Sequence, residues 1–319
     1  MPSYSLVVPV LNEDETISEL YRRVKAAARQ LDGPLHVVFV DDGSRDRSLE
    51  IIRGLRRDDP LVGYVSLARN FGHQHAISAG LQAARGDAVI VMDGDLQDPP
   101  ELIPALVERW RAGARVVYAQ RTRRRRASAV KSACAYVFYR IFARLTSIEI
   151  PPDTGDFCLM DRTVVDLLNA LPERSRYLRG LRAWTGLPSV AVPFERDPRF
   201  AGRTKYSYAR LFGLAADGVV SFSRVPLRLA TYIGLAAAAL SVAIFVAAVA
   251  APSLLPAPPR AGLAMLVAAA LFFGAVQLVC LGIVGEYVGR IHDDVRARPL
   301  FTIRESAGIE PAPGDAGRR

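Results

Sequence analysis

"GDAVIVMDGDLQDPPE", residues 86–101, is the stretch on which the fold turns. From Ala88 to Met92 it is an unbroken apolar run, short enough for a strand and too short for a helix, and such runs are strands covered on both faces. Asp93, Asp95 and Asp98 then fall within six positions, and the pair Pro99-Pro100 opens a helix. Like charges at that spacing raise one another's pKa and repel, so a cation is expected beside them. Asp93 and Asp95, one residue apart at a strand end, allow two carboxylates to approach one hard ion, Mg²⁺ or Mn²⁺, with Gln97 adding a carbonyl oxygen. The bland alternative is an acidic turn capping the helix after Pro99. Alone, the D-x-D spacing is weak.

The same alternation extends outward in both directions. "YSLVVPV" (4–10), "LHVVFV" (35–40), "VGYVSLA" (62–68) and "ARVVYAQ" (114–120) read as strands. "NEDETISELYRRVKAAARQL", "DRSLEIIRGLRRD", "HQHAISAGLQAAR" and "PPELIPALVERWRAG" read as the helices between them. This pattern predicts an α/β domain with a mostly parallel sheet, whose ligand sits beyond the carboxyl ends of the strands. "DDGS" (41–44) and "DGDLQD" (93–98) both lie at such ends, and their coincidence strengthens the metal reading. His73 and His75 read as packing or helix-start residues.

The 319 residues carry a formal charge of +9, unevenly spread. "RTRRRR" begins at Arg121, and amphipathic aromatic-basic stretches follow at about 127–147 and 205–225. These are expected in the membrane interface, because two uncharged apolar runs, Ala230–Ala250 and Gly262–Val284, come after them. Each run is near the roughly 20 residues that cross a bilayer. Two spans are expected, at about 228–251 and 262–286. Arg224, Arg228, Arg290, Arg296 and Arg298 flank their outer ends, while the link between them holds only Arg260. By the positive-inside rule residues 1–225 and the tail 291–319 are cytoplasmic, at the inner (cytoplasmic) membrane. No secretory leader is read before the first strand. The tail after Ile303 is Gly/Pro/Glu-rich and is expected to be disordered. Cys134, Cys158 and Cys280 lack metal spacing and read as reduced thiols.

"VVPVLNEDE", "FVDDGSRDRS", "LARNFGHQHAISAG", "MDGDLQDPPE", "DTGDFCLMDR", "YLRGLRAWTG" and "RFAGRTKYSYARLFGLAADGVVSFSRVPLRLATY" together resemble glycosyltransferase family 2. The resemblance is narrower still to its polyprenyl-phosphate glycosyltransferases, the bactoprenol glucosyltransferase and dolichol-phosphate mannose synthase group. It implies a GT-A nucleotide-binding domain and inverting transfer from a nucleotide sugar, UDP-glucose first, to undecaprenyl phosphate for cell-envelope glycan modification. Aminoarabinose-type sugars, galactose or mannose are alternatives. By resemblance Pro9, Asn12 and Glu13 line the nucleotide, with Asp41 or Asp42 on base or ribose, and Asp93, Asp95 and Gln97 face the metal. Arg121 lies near the phosphates, and Lys131 and Ser132 match lipid-phosphate contacts. Asp153 and Asp156 sit near sugar and acceptor, and Arg199 and Lys205 come over the diphosphate. Arg203 departs from the family's usual Glu or Ser. Tyr177, Arg179 and Trp184 of "YLRGLRAW" are expected to line the sugar pocket. A homo-oligomer, such as a tetramer, is implied by the same likeness.

A phosphate monoester acceptor is mostly ionised near neutral pH, its second pKa being about 6. Such a nucleophile barely needs a base, and the enzyme's task is to bring two phosphates together and stabilise the leaving diphosphate. Asp156 reads equally as a base or acceptor-positioning group and as a loop cap. A processive polysaccharide synthase would carry Q-x-x-R-W, which "RGLRAWTG" lacks. The intact D-x-D argues against a non-catalytic sensor, and the basic run matches no nucleic-acid reading motif.

Overall fold

All seven residues of β1 (Tyr4–Val10) are buried. A strand apolar on both faces must be covered twice, and β1 is the centre of the sheet. It pairs in parallel with β2 (Leu35–Asp41), Val7 opposite Val38, and with β4 (Ala88–Val91), Val7 opposite Val91. β3 (Val62–Leu67) continues the parallel set beside β2. Helices α1 (Ile17–Ala28), α2 (Ser48–Asp58) and α3 (His73–Ala83) make the crossovers. A computed structural model describes residues 1–122, 154–174, 176–195, 225–250 and 259–309. The stretches expected in the membrane interface, 127–147 and 205–225, lie almost wholly outside these, as do Asp153, Lys131, Ser132, Arg199 and Lys205.

The sheet order is β7-β5-β6-β4-β1-β2-β3-β8. A 3₁₀ turn, Pro100–Leu102, leads into α4 (Ile103–Arg111), and β5 is Val116–Arg121. β6 (Thr154–Asp161) lies between β4 and β5 and runs antiparallel to both. Helices α5 (Arg162–Ala170) and α6 (Leu178–Trp184) precede β7 (Ser189–Phe194), which runs parallel to β5. The chain winds one way from β1 to β2 and the other way to β4. That reversal is a switch point, where strand ends splay and leave a crevice. Pro9 lies near the end of β1 and Asn12 just beyond it at that point, and Asp93 and Asp95 follow β4 there.

α3 lies directly on the central strands. A Cβ built on Gly80 would stand 2.2 Å from Val7 Cγ1 and 3.0 Å from Val40 Cγ2, so only glycine permits the approach. The other face is filled by Tyr4, Phe39, Ile52 and Leu106, all fully buried. Tyr4 meets Trp110 edge-on at 6.0 Å. Each such side chain contributes about 1.5–3 kcal/mol on burial.

Thr154–Asp161 is a strand, buried throughout, that completes the gap between β4 and β5, so of the two readings of Asp156 the loop cap is not the one the fold offers. One expectation is corrected. The tail is not disordered from Ile303 onward: β8 (Ile303–Ala307) pairs antiparallel with β3. Ladder bonds offered by the open β3 edge order a segment whose composition predicts none. Residues 299–309 accordingly cluster with the α/β unit, together with 1–122, 154–174 and 176–195.

The second unit contains α7 (Val225–Ala250) and α8 (Pro259–Val295), where the two apolar runs were read. Among the described residues one stretch, Ala269–Val295, is by length and composition able to cross a membrane, and a shorter apolar one is Ala230–Ala243. The Cys280 thiol approaches the Ala230 carbonyl at 3.8 Å, joining the two helices.

Candidate active site

The carboxyl ends of β1, β2 and β4 meet β6 at one place. Asn12, just after β1, holds a left-handed backbone (φ 53°). Its N–H donates to Ser44 Oγ at 3.0 Å, and its side-chain oxygen accepts from Arg45 N–H at 2.8 Å. The Glu13 N–H donates to Ser48 Oγ at 2.9 Å. The turn after β1 is thus laced to the turn after β2. Asp41 and Asp42 are absorbed in bracing these turns. Asp41 accepts from Ser44 N–H at 2.9 Å and Ser66 Oγ–H at 2.8 Å. Asp42 accepts from Phe71 N–H at 2.7 Å and Gly72 N–H at 3.0 Å, which shapes the start of α3. Burial raises the Asp42 pKa, against those two bonds.

The D-x-D turn is fastened separately. Thr16 Oγ1 donates to the Gly94 carbonyl at 2.9 Å, and Leu96 takes a left-handed backbone (φ 58°). Gln97 N–H donates to Asp95 Oδ1 at 3.1 Å. Asp93 Oδ1 is buried and, among the described residues, accepts no hydrogen bond. Burial pushes the Asp93 carboxyl up, and the charges of Asp156 and Asp95 push the same way, against His73. An oxygen so placed suits a cation. Among the described residues no group of three or more His, Cys, Asp or Glu side chains could hold a metal alone. Two carboxylates with the remaining ligands from phosphate and water is how Mg²⁺-type sites are built. Asp93 and Asp95 fit that pattern. Gln97 meets Asp95 through its backbone N–H, not its side-chain oxygen.

Part of the countercharge for the acidic turn comes from the protein. Arg121, at the end of β5, brings Nη2 to 3.7 Å from Asp98 Oδ1, and Asp98 is fully buried. His73, on the first turn of α3, brings Nε2 to 3.4 Å from Asp93 Oδ1 and 3.2 Å from Asp156 Oδ2. Burial works to lower the His73 pKa, but the Asp156 hydrogen bond and the charges of Asp93 and Asp156 raise it to about 9. Sequence reading placed His73 at a helix start, which is correct, and missed its place in the site. The available signal was a polar first turn, His73-Gln74-His75, followed by an unbroken buried run, Ala76–Leu81.

Asp156 is 6 % exposed. Arg179 Nε donates to its Oδ1 at 2.8 Å and Nη2 to its Oδ2 at 3.1 Å, while Gln74 Nε2 donates to Oδ2 at 3.3 Å. Burial raises its pKa, but Arg179 and His73 outweigh that and hold the carboxyl well below the ordinary range. A carboxylate so stabilised is a poor proton acceptor. β6 opposes three residues, 155–157, to Ala119 alone, because its register shifts between Tyr118 and Gln120. Such irregularities re-aim side chains. Behind it, buried Arg182 donates to the Gly155 carbonyl at 3.0 Å and to Cys158 Sγ. Tyr177 precedes α6, whose first turn carries Arg179. Trp184 ends that helix and is 53 % exposed.

A mostly parallel sheet with an antiparallel strand beside its switch point, and carboxylates at the strand ends, is a GT-A-like architecture. The chain belongs to glycosyl transferase family 2, whose description matches residues 5–168. An uncharacterized glycosyltransferase YkcC of Bacillus subtilis is 43 % identical over 96 % of this chain and 95 % of that protein. The SfII prophage-derived bactoprenol glucosyl transferase of Shigella flexneri is 41 % identical over 95 % of this chain and 97 % of that one. Among solved structures, mannosyl-3-phosphoglycerate synthase from Rubrobacter xylanophilus shares 18 % identity at a TM-score of 0.49, covering 68 % of this chain and 72 % of that one. The protein is a glycosyltransferase enzyme.

Proposed function

We propose that this enzyme transfers a sugar, glucose from UDP-glucose first in order, to a polyprenyl phosphate, with inversion at the anomeric carbon. The observation that carries the reading is the 41 % identity to a bactoprenol glucosyl transferase, which extends over 95 % of this chain and therefore through both apolar helices. In this reading Asp93 and Asp95 hold a divalent ion that neutralises the departing diphosphate. Pro9 near the end of β1, and Asn12 and Glu13 in the turn after it, receive the nucleotide. Arg121 faces the phosphates, and Lys131, Ser132, Arg199 and Lys205 supply further contacts to acceptor and diphosphate, with Asp153 near the sugar.

The acceptor phosphate oxygen attacks the anomeric carbon as the bond to the diphosphate breaks, and no proton need be removed from an ionised phosphate. Asp156 therefore serves as an anchor rather than a base: it fixes Arg179 and His73 so that their charges face the sugar and phosphates. α7 and α8 cross the inner membrane as a pair, with the catalytic unit and both chain ends cytoplasmic, and the chain acts as a homo-oligomer. The test is a panel of UDP- and GDP-sugars offered with short polyprenyl phosphates, the lipid products identified by mass spectrometry. A polyprenyl-phosphate hexose from UDP-glucose is expected. Transfer only to a soluble acceptor would overturn the reading, and product only with another sugar would move the donor assignment.

A further inference from the structure

The pairing of β8 with β3 contains one irregularity. Val65 faces Ser306 and Ser66 faces Glu305, but Leu67 faces Ile303. Arg304 is therefore the extra residue, a bulge on the edge strand. A bulge turns a side chain off the regular alternation, and here the Arg304 guanidinium is turned onto the end of the neighbouring strands. Its Nη2 donates to Ser66 Oγ at 2.8 Å and lies 3.6 Å from Asp41 Oδ2. Asp41 is completely buried.

The contacts continue without a break. Ser66 accepts from Arg304 and donates to Asp41 Oδ2 at 2.8 Å. Asp41 Oδ1 accepts from Ser44 N–H at 2.9 Å, and Ser44 Oγ accepts from Asn12 N–H at 3.0 Å. Asn12 holds its left-handed turn in the cleft between β1 and β4. A chain of four hydrogen bonds thus runs from the C-terminal strand to the lip of the nucleotide cleft. A buried carboxylate needs a counter-charge, and Arg304 is the cation facing Asp41. The strand that carries it is independently docked. Arg53 forks onto Glu305, Nη2 at 2.6 and 2.7 Å, and Ala68 N–H donates to the Thr302 carbonyl at 2.8 Å.

We infer that Arg304 is a positioning residue for the donor nucleotide: the segment after the second apolar helix completes the nucleotide site by fixing Asp41 and, through Ser44, the Asn12 turn. The inference rests on the reading of this cleft as the nucleotide-sugar site. Arg304 acts through Asp41, so its loss should weaken donor use and leave acceptor use alone.

The experiment uses the full-length enzyme in detergent, with donor and acceptor varied in turn and UDP and GDP titrated calorimetrically. Arg304→Gln is expected to raise the donor KM and the nucleoside diphosphate Kd roughly three- to tenfold, a charged hydrogen bond discounted because Arg304 is 48 % exposed. Acceptor KM and kcat should stay within twofold. Arg304→Lys should recover part of the loss. Ser66→Ala should raise the donor KM similarly, and combining it with Arg304→Gln should add little. Arg53→Gln, which loosens the strand without touching Asp41, should leave the donor KM near parent. An unchanged donor KM in Arg304→Gln overturns the inference, as does an equal rise in Arg53→Gln, which would make it a docking effect. Asp95→Ala separates the underlying reading: if it retains parent turnover, the cleft is not the donor site.

Discussion

Replacing Arg179 by Met removes the two charged hydrogen bonds that hold Asp156, at 2.8 and 3.1 Å. Bonds of this type contribute about 1.5–3 kcal/mol each, about 3–6 kcal/mol for the pair. Two features reduce that figure. The Arg179 side chain is 32 % exposed, so water screens part of the attraction. Asp156 also keeps His73 and Gln74 as partners. A net loss of about 2–3 kcal/mol follows, smaller than for a buried charge left wholly unpaired. For a unit of this size that is a fall in Tm of roughly 5–10 °C, read by a thermal scan of the detergent-solubilised enzyme. The kinetic consequence is separate. With the guanidinium gone and His73 free to shift, kcat/KM is expected to fall about 10- to 100-fold. Lysine cannot fork onto both oxygens, so Arg179→Lys should recover only part of each loss. A parent-like Tm with kcat/KM within twofold of parent would refute the anchoring role, and full rescue by lysine would refute its dependence on the forked geometry.

Chelation with EDTA should stop turnover, and Asp95→Ala should do the same while keeping the parent Tm; turnover at the parent rate in EDTA would remove the metal from the mechanism. Asp59, held by Lys25 Nζ and Tyr21 Oη at 2.5 Å each, has its pKa lowered to about 2 because these bonds outweigh burial. A depressed folded pKa stabilises above the unfolded value near 4 and is lost as pH falls toward 2, so the Tm gap between the parent and Asp59→Asn should be full at pH 7 and narrow below about pH 4; a gap constant with pH would contradict this. Gly80→Ala should cost about 1–3 kcal/mol, because its Cβ would meet Val7 Cγ1 at 2.2 Å, and a parent-like Tm would mean α3 can lift from the sheet. Reporter fusions should read as cytoplasmic after Arg319 and as periplasmic near Pro256; the reverse pattern would invert the membrane reading.

The parts of this fold legible in the sequence are those that bury a continuous apolar run. β1, β2, β3 and β4 are such runs, and the carboxylates that end them fall at the switch point because parallel strands all present the same end there. Asp93 and Asp95 were therefore visible. β6 and β8 were not, for a shared reason. β6 is "TGDFCLMD", with two carboxylates inside a buried strand, and β8 is "IRESA", with two charges in five residues. Neither has a pattern that specifies a strand alone; each forms because a neighbour offers an unpaired edge. The register irregularities fall at Asp156 in one pairing and at Arg304 in the other. A bulge has no side-chain signature, since it is a property of two strands and not of one. His73 was obscured differently: a histidine opening a helix is common, and only the arrival of β6 turns it into a bridge between Asp93 and Asp156. Local pattern thus located the carboxylates at the strand ends, while the groups packed against them depend on non-local pairing. That division predicts where changes will be tolerated. Substitutions that keep the apolar runs should keep the fold, whereas inserting or deleting one residue in β6 or β8 should leave most of the sheet intact and misdirect Asp156 or Arg304.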